Sequence, residues 1–144
     1  MNNKYLDSLK LYHTSQFCLY ISNSNIVNSG YGVFTKSFIP KDSVIDEYAG
    51  TYTESLYGGE YFFRIDEEGG INAIDTPRCY MAMLNDAIYI PSSKRALRKF
   101  VKHNYTNNCY FKSDIINRKV YVYSLIDIDA NSELFISYGI DYWK

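Results

Sequence analysis

The chain has 144 residues with 15 basic and 16 acidic side chains, and its net charge of -1 gives no overall attraction to nucleic acid or membrane surfaces. The length suits one domain with a sizeable core. No apolar run approaches the roughly 20 residues of a bilayer-spanning helix, and the first residues lack the pattern of a secretory signal. We therefore expect an intracellular, non-secreted domain in which any preference for a basic partner comes from a local acidic patch.

Short apolar segments separated by turn-forming residues predict a mainly β fold. Seven segments have the composition of strands, at residues 17–21, 31–34, 44–48, 61–65, 108–112, 119–125 and 134–137. Turns or loops are predicted at 23–29, 40–42 and 67–70, and the last of these is predicted to be a hairpin tip with two glycines. Small sheets linked by turns are the expected architecture.

Helical patterns are rare in this sequence. A short helix is predicted over residues 76–84, where threonine can cap the first turn and proline suits its first position. A second helix can start near residue 92, with a basic face over 94–102 that is more often a solvated surface than a binding patch. Residues 1–15 are expected to form an arm or a short helix, and residues 16–144 a single domain.

Cysteine, tyrosine and histidine usage narrows the possible chemistry. The three cysteines, Cys18, Cys79 and Cys109, fit neither a disulfide framework nor a paired zinc motif, so we interpret them as buried apolar residues and expect no metal. The 16 tyrosines suit a β-rich core and its surface, and some of them can line an aromatic pocket for an ammonium or sulfonium cation. His13 and His103 lie in polar stretches and do not indicate a catalytic centre.

Two motifs, one near each end of the chain, are the most informative features. The first is Gly30-Tyr31-Gly32, followed by alternating strands that end in Glu47-Tyr48-Ala49-Gly50. The second is Glu133-Leu134-Phe135-Ile136-Ser137-Tyr138-Gly139. Between them lie a strand that begins at Tyr61, the Ile74-Asp75 pair and Asn85-Asp86. The two early glycines allow the backbone to approach a ligand closely or to adopt positive φ.

In this order the motifs resemble the SET domain of protein lysine methyltransferases. The resemblance implies a β-clip-like fold of several small sheets, in which the C-terminal segment threads under an asparagine segment to form a pseudoknot-like site. It also implies S-adenosyl-L-methionine as the cofactor and a lysine of a histone tail, or of another basic protein, as the methyl acceptor. No metal or acyl nucleophile is required for this reaction.

The chain is also similar to the minimal, stand-alone SET proteins of large viruses and some microbes. That similarity predicts a location in the nucleus, or in the host nucleus for a viral protein. A homodimer is expected, because a minimal SET domain can use a second copy to complete its surface. Direct binding to nucleic acid or to a membrane is not expected.

The resemblance assigns roles to individual residues. Those expected to lie against the cofactor are Gly30, Tyr31, Gly32, Tyr61, Asn85 and Asp86. Tyr138 is the expected catalytic residue, which would orient the amine or steer the sulfonium methyl group. Those expected to line the substrate channel are Tyr48, Ile136 and Tyr142. Ile136 is smaller than the phenylalanine or tyrosine that the family often has there, which leaves room for more than one methyl group.

The sequence departs from the family pattern at Asp86, where SET domains usually have histidine. The backbone of an aspartate can present the same amide and carbonyl groups to the adenine, so cofactor binding is still expected. The usual proline-asparagine-cysteine is displaced to Asn107-Asn108-Cys109, so residues 88–106 are interpreted as an insertion.

Two other interpretations remain open at this stage. One is a SET-like module with little or no turnover that binds peptides or partners, and the change at Asp86 is its main support. The other is a tyrosine-rich β domain that stacks on nucleic acid beside the basic residues 94–102. The near-neutral net charge argues against the second.

Overall fold

The computed structural model describes residues 11–26, 29–54, 61–74, 78–87 and 105–137. Within these residues the strands form three antiparallel, three-stranded sheets, which confirms the predicted mainly β fold. The first sheet contains, in spatial order, β1 Tyr12–His13, β2 Cys18–Asn23 and β3 Tyr31–Thr35. The second contains β4 Val44–Glu47, β9 Lys119–Ser124 and β8 Cys109–Asp114. The third contains β5 Thr51–Glu54, β7 Gly69–Asn72 and β6 Phe62–Arg64.

Six of the seven predicted strand segments correspond to β2, β3, β4, β6, β8 and β9. The predicted hairpin tip at residues 67–70 is wrong in part, because Gly69 and Gly70 begin β7 and pair with β5 and β6. A side chain at Gly70 would collide with the carbonyl oxygen of Phe63. The glycine therefore serves close strand packing rather than a turn, a use that glycine in a strand often has.

The helical content also differs from the prediction. Within the described residues the only helix is a 3-10 helix over Tyr80–Met83, which buries Met81 and Ala82 and begins after Cys79 without a side-chain cap. The predicted start at residues 76–77 and the predicted basic helix lie outside the described residues. Residues 12–13, for which the sequence left an arm or a helix open, form β1.

The core is built from buried residues of all three sheets, including Ile71 of β7, and from the connections around them. Strand β9 shows the expected alternation, because Val120, Val122 and Ser124 are buried while the residues between them are not. The fully buried apolar residues of the core include Leu19, Val33, Ile39, Met81, Leu134 and Ile136. Among the described residues, no helix is both long enough and apolar enough to span a membrane.

Residues 133–136, which we call the C-terminal crossing, pass between elements that are far apart in sequence. The crossing forms an antiparallel bridge with Phe34 of β3 and parallel bridges with Asn85 and Cys109. The amide of Ile136 donates to the carbonyl oxygen of Asn85 at 2.9 Å. This arrangement is the predicted threading of the C-terminal segment past an asparagine segment, and it decides which residues can meet at a site.

Candidate functional site

The glycine turn, residues 30–32, leads into β3 and presents its backbone to open space. Gly30 has a φ of 66°, in the left-handed region that favours glycine. A side chain at this position would meet nothing within 4 Å. Tyr31 is 72% exposed, whereas Gly32 is buried. The turn therefore offers accessible backbone to a ligand on one side and packs tightly on the other.

Asn85 joins the glycine turn to the C-terminal crossing. Its Nδ2 donates to the carbonyl oxygen of Tyr31 at 3.0 Å and to Oε2 of Glu133 at 3.2 Å. Its carbonyl oxygen accepts the hydrogen bond from the Ile136 amide. The two motifs at opposite ends of the sequence thus meet at one asparagine side chain, as the sequence resemblance required.

Asp86 lies next in the chain and is buried, with 6% of its surface exposed. Its Oδ1 accepts a hydrogen bond from Nδ2 of Asn107 at 3.1 Å, and Oδ1 of Asn107 accepts the amide of Ala87 at 2.8 Å. The side chain that replaces the family's usual histidine therefore links residues 86–87 to the start of the β8 segment. Contact of Asp86 with a cofactor remains a prediction.

Asn108 clamps the C-terminal crossing with both ends of its side-chain amide. Nδ2 donates to the carbonyl oxygen of Glu133 at 2.9 Å, and Oδ1 accepts the Phe135 amide at 2.8 Å. Its backbone amide also donates to the Phe135 carbonyl oxygen at 3.0 Å. The sequence indicated the displaced Asn107-Asn108-Cys109 motif but gave Asn108 no role. The only sequence feature that could have indicated this role is the position of Asn108 directly before a strand.

Two of the three cysteines, Cys79 and Cys109, pack in the core. Cys109 is buried beneath the crossing, its thiol lies 3.3 Å from Oδ1 of Asn108, and burial raises the pKa of the thiol. Burial also raises the pKa of the half-buried Cys79. Cys18 is half-buried as well, so only one of the three cysteines is as buried as the sequence predicted.

Two tyrosines with predicted roles, Tyr48 and Tyr61, contact each other. Tyr48 is 3% exposed, and its hydroxyl donates to the carbonyl oxygen of Tyr61 at 2.7 Å. The Tyr48 ring packs against Phe63 and Phe111, with ring centroids 6.2 and 5.7 Å away. The arrangement buries the Tyr48 ring among other aromatic rings, and its place along a substrate channel remains a prediction.

Arg78 is a neighbour of Tyr61 that the sequence did not indicate. Its guanidinium carbon lies 3.7 Å from the centroid of the Tyr61 ring, a cation–π contact, and one terminal nitrogen donates to the carbonyl oxygen of Ile74 at 3.2 Å. The guanidinium group covers one face of the Tyr61 ring, and this ring is predicted to pack against the cofactor. The two residues are 17 positions apart, so no local sequence pattern predicts their contact.

The predicted catalytic residue Tyr138 and the channel residue Tyr142 lie outside the described residues. Ile136, two positions before Tyr138, has no exposed surface and pairs with Cys109. The structure therefore brings together Gly30–Gly32, Asn85 and the segment that leads to Tyr138. The roles of Tyr138, Tyr142 and Ile136 in transfer remain predictions.

Comparison with known families shows where this arrangement belongs. The family model of the SET domain matches residues 30–139 of the sequence, which include the glycine turn, Asn85 and the crossing. The chain belongs to the SET-domain family. This result confirms the resemblance found in the sequence.

Relatives of this SET domain are found in much longer proteins. A Plasmodium falciparum protein provisionally named as a histone-lysine N-methyltransferase is 27% identical over 96% of this chain, which spans 2% of its length. The H3 lysine-4 specific histone-lysine N-methyltransferase of Chaetomium globosum is 27% identical over 77% of this chain, which spans 10% of its length. The match thus covers the SET domain and only a small part of each relative.

A solved structure shares the fold. The crystal structure of KRYPTONITE in complex with mCHG DNA and SAH covers 86% of this chain with a TM-score of 0.63 and 23% identity. This chain spans 24% of the KRYPTONITE chain. At that identity the likeness shows a common fold for the two SET domains.

Proposed function

We propose that this chain is an S-adenosyl-L-methionine-dependent protein lysine N-methyltransferase. The observation that carries the proposal is the position of Asn85, which hydrogen-bonds both the glycine turn and the crossing that leads to Tyr138. Membership of the SET-domain family, the names of the relatives and the SAH bound to KRYPTONITE support the activity and the cofactor.

The residues of the glycine turn fit a bound cofactor. Gly30 has open space where a side chain would project, so a ligand can approach the backbone there without obstruction. We assign the cofactor contacts to this turn, to Tyr61 and to the backbone of Asn85 and Asp86. When bound, the cofactor supplies an electrophilic methyl group on a sulfonium ion.

The task of the protein is then to align the acceptor amine and to exclude water. The amine must be neutral to accept a methyl group, yet an unperturbed lysine has a pKa of about 10.4. Apolar surroundings lower that pKa because they disfavour the charged form. We assign the wall of such a channel to Tyr48, Ile136 and Tyr142, and the orientation of the amine to the hydroxyl of Tyr138.

As the substrate we propose a histone tail or another basic protein, since the two relatives described above are named as histone-lysine N-methyltransferases. The test is mass spectrometry of purified histones and of total lysate protein after incubation with isotopically labelled cofactor. We expect labelled methyl groups on histone lysines, more than one on a single lysine because Ile136 is small.

Tyr138→Phe is the decisive variant, because it removes one hydroxyl and little volume. We expect it to lower methyl transfer by about 100-fold or more, the contribution typical of a positioned acid–base or orienting group, and to leave cofactor binding in calorimetry unchanged. Tyr123→Phe, a half-buried tyrosine of β9 that stacks on Tyr110, is the matched control and should transfer at the wild-type rate.

The other outcomes separate the alternatives. A folded wild-type protein that binds the cofactor but transfers no methyl group would favour a SET-like module that binds peptides or partners. A folded protein that neither binds the cofactor nor transfers methyl groups would contradict the proposal. Label on proteins other than histones would retain the activity and reject the histone substrate.

A further inference from the structure

The buried carboxylate of Glu133 is the most unusual polar group of the described residues. Only 2% of its surface is exposed, and it lies at the start of the C-terminal crossing. Burying a carboxylate is costly unless hydrogen bonds replace its water. The groups that donate hydrogen bonds to the carboxylate therefore indicate which segments of the fold it connects.

Three donors from two separate segments converge on this carboxylate. Oε1 accepts the backbone amide of Asn25 at 2.7 Å, and Oε2 accepts the hydroxyl of Ser24 at 2.8 Å and Nδ2 of Asn85 at 3.2 Å. Within the described residues its partners are all neutral, so the charge is stabilised by oriented dipoles. Hydrogen bonds to an ionised acceptor are roughly twice as strong as neutral ones.

The glycine turn closes directly onto the same carboxylate. A Cβ atom at Gly32 would collide with Oε2 of Glu133, and it would lie 2.7 Å from Cδ. The carboxylate thus occupies the volume that a side chain at position 32 would fill. It contacts the loop before the turn, the turn itself and Asn85 at once.

We propose that Glu133 is a positioning residue that fixes the glycine turn relative to the C-terminal crossing. This inference rests on the proposed function, in which the turn holds the methyl donor and the crossing leads to Tyr138. A carboxylate is suited to the role because it accepts at both oxygens. A glutamine of the same shape would turn an NH2 group towards one of the donors and lose at least one hydrogen bond.

The experiment compares Glu133→Gln with a matched control, Ser124→Ala. Ser124 is fully buried, accepts the Ser43 amide at 2.9 Å and donates to the Pro40 carbonyl oxygen at 2.6 Å, so its loss also removes buried hydrogen bonds. Both variants are measured by amide hydrogen exchange, by calorimetric titration with S-adenosylhomocysteine and by steady-state methyl transfer.

A positioning role predicts local effects. In Glu133→Gln, exchange should accelerate at least 10-fold at the amides of Asn25 and of residues 134–136, while the β9 amides of Val120 and Val122 keep their protection. At saturating cofactor and substrate, kcat per folded molecule should fall at least 10-fold. Ser124→Ala should change neither the exchange at the crossing nor kcat by more than about twofold, the size of an ordinary remote effect.

Two results with Glu133→Gln would overturn the inference. One is an equal loss of protection in β9 and in the crossing, which would mean that Glu133 contributes only to global stability. The other is a folded Glu133→Gln protein with wild-type kcat. If Glu133→Gln fails to fold, Ser24→Ala removes one donor and leaves both carboxylate oxygens in place, and about threefold effects at the same amides are expected from the loss of one hydrogen bond. Unchanged exchange in Ser24→Ala would also reject the inference.

The proposed function can fail separately. A wild-type protein that transfers no methyl group ends the proposed function, whereas the exchange measurements still decide whether Glu133 fixes the turn on the crossing.

Discussion

The C-terminal crossing and the β8–β9 hairpin are neighbours, yet they are held by different means. The hairpin is a regular ladder of six consecutive pairs, from Cys109 opposite Ser124 to Asp114 opposite Lys119. The crossing makes isolated bridges to three separate segments and depends on the side chains of Asn85, Asn108 and Glu133. The hairpin is therefore stabilised by repeated backbone pairing, and the crossing by isolated backbone hydrogen bonds together with a few specific side chains.

The largest difference between the two regions should follow from Asn108→Ala. Both ends of this side chain hydrogen-bond the crossing, and their loss leaves a carbonyl oxygen and an amide without partners. We expect the free energy of unfolding to fall by about 2–4 kcal/mol, since each unsatisfied buried group costs about 1–3 kcal/mol. Urea denaturation followed by circular dichroism measures the change.

Asn117→Ala in the hairpin is the matched control for this change. Nδ2 of Asn117 donates to Oδ2 of Asp114 at 2.8 Å in an exposed turn, so we expect a loss below about 1 kcal/mol. Similar losses in the two asparagine variants would show that the crossing is no more dependent on its side chains than the hairpin is.

A smaller effect is expected from Gly30→Ala in the glycine turn. There is room for the added methyl group, but the φ of 66° strains any other residue, and the cost of a left-handed alanine is about 1–2 kcal/mol. Ile116→Ala at the hairpin tip, where the side chain is 93% exposed, should stay within about 0.5 kcal/mol of wild type. Thermal unfolding of both variants measures these differences in stability. An unchanged unfolding midpoint for Gly30→Ala would contradict the left-handed backbone conformation of residue 30.

The smallest effect should come from a surface contact outside both regions, and it should depend on pH. The Tyr12 hydroxyl donates to Oδ2 of Asp46 at 2.7 Å, and this hydrogen bond, with burial, raises the pKa of Tyr12 to about 12. Because the pKa is raised on folding, the stabilisation is complete below about pH 10, the ordinary value for tyrosine, and disappears as the pH rises towards 12.

Tyr12→Phe should therefore lower the free energy of unfolding by about 0.5–1 kcal/mol at pH 8, discounted for the exposure of the pair. The difference from wild type should shrink between about pH 10 and pH 12, which follows from the linkage of protonation to folding. Denaturation at pH 8 and pH 11 measures it. A deficit that stays constant over this range would show that the hydroxyl does not titrate as described.

The sequence predicted the regular parts of the fold well because their signals are local. In strand β9, buried residues alternate with less buried ones. The turn at residues 40–42 contains a proline, and Asp42 has a left-handed backbone conformation. The sequence did not reveal that Gly69 and Gly70 lie in a strand, because the need for glycine arises from the approach of β5 and β6. Local patterns do not report such packing.

The candidate site was predicted only through the order of its motifs. The convergence of the glycine turn, Asn85 and the crossing followed from the family resemblance, and the structure shows it directly. The polar contacts that hold these parts together, at Asn108 and Glu133, could not be found from periodicity because they join residues that are distant in sequence. Asparagine and glutamate are mostly exposed in proteins, so their residue types alone do not indicate buried contacts.

The threading of the crossing has a consequence for how the chain matures during translation. Ser24 and Glu133 are 109 positions apart, so the loop before the glycine turn is made long before its buried acceptor. At about 5–20 residues per second, the interval is about 5–20 s. During that time the Ser24 hydroxyl and the Asn25 amide lack the carboxylate to which they donate in the folded domain. This part of the site is completed only when residue 133 has left the ribosome.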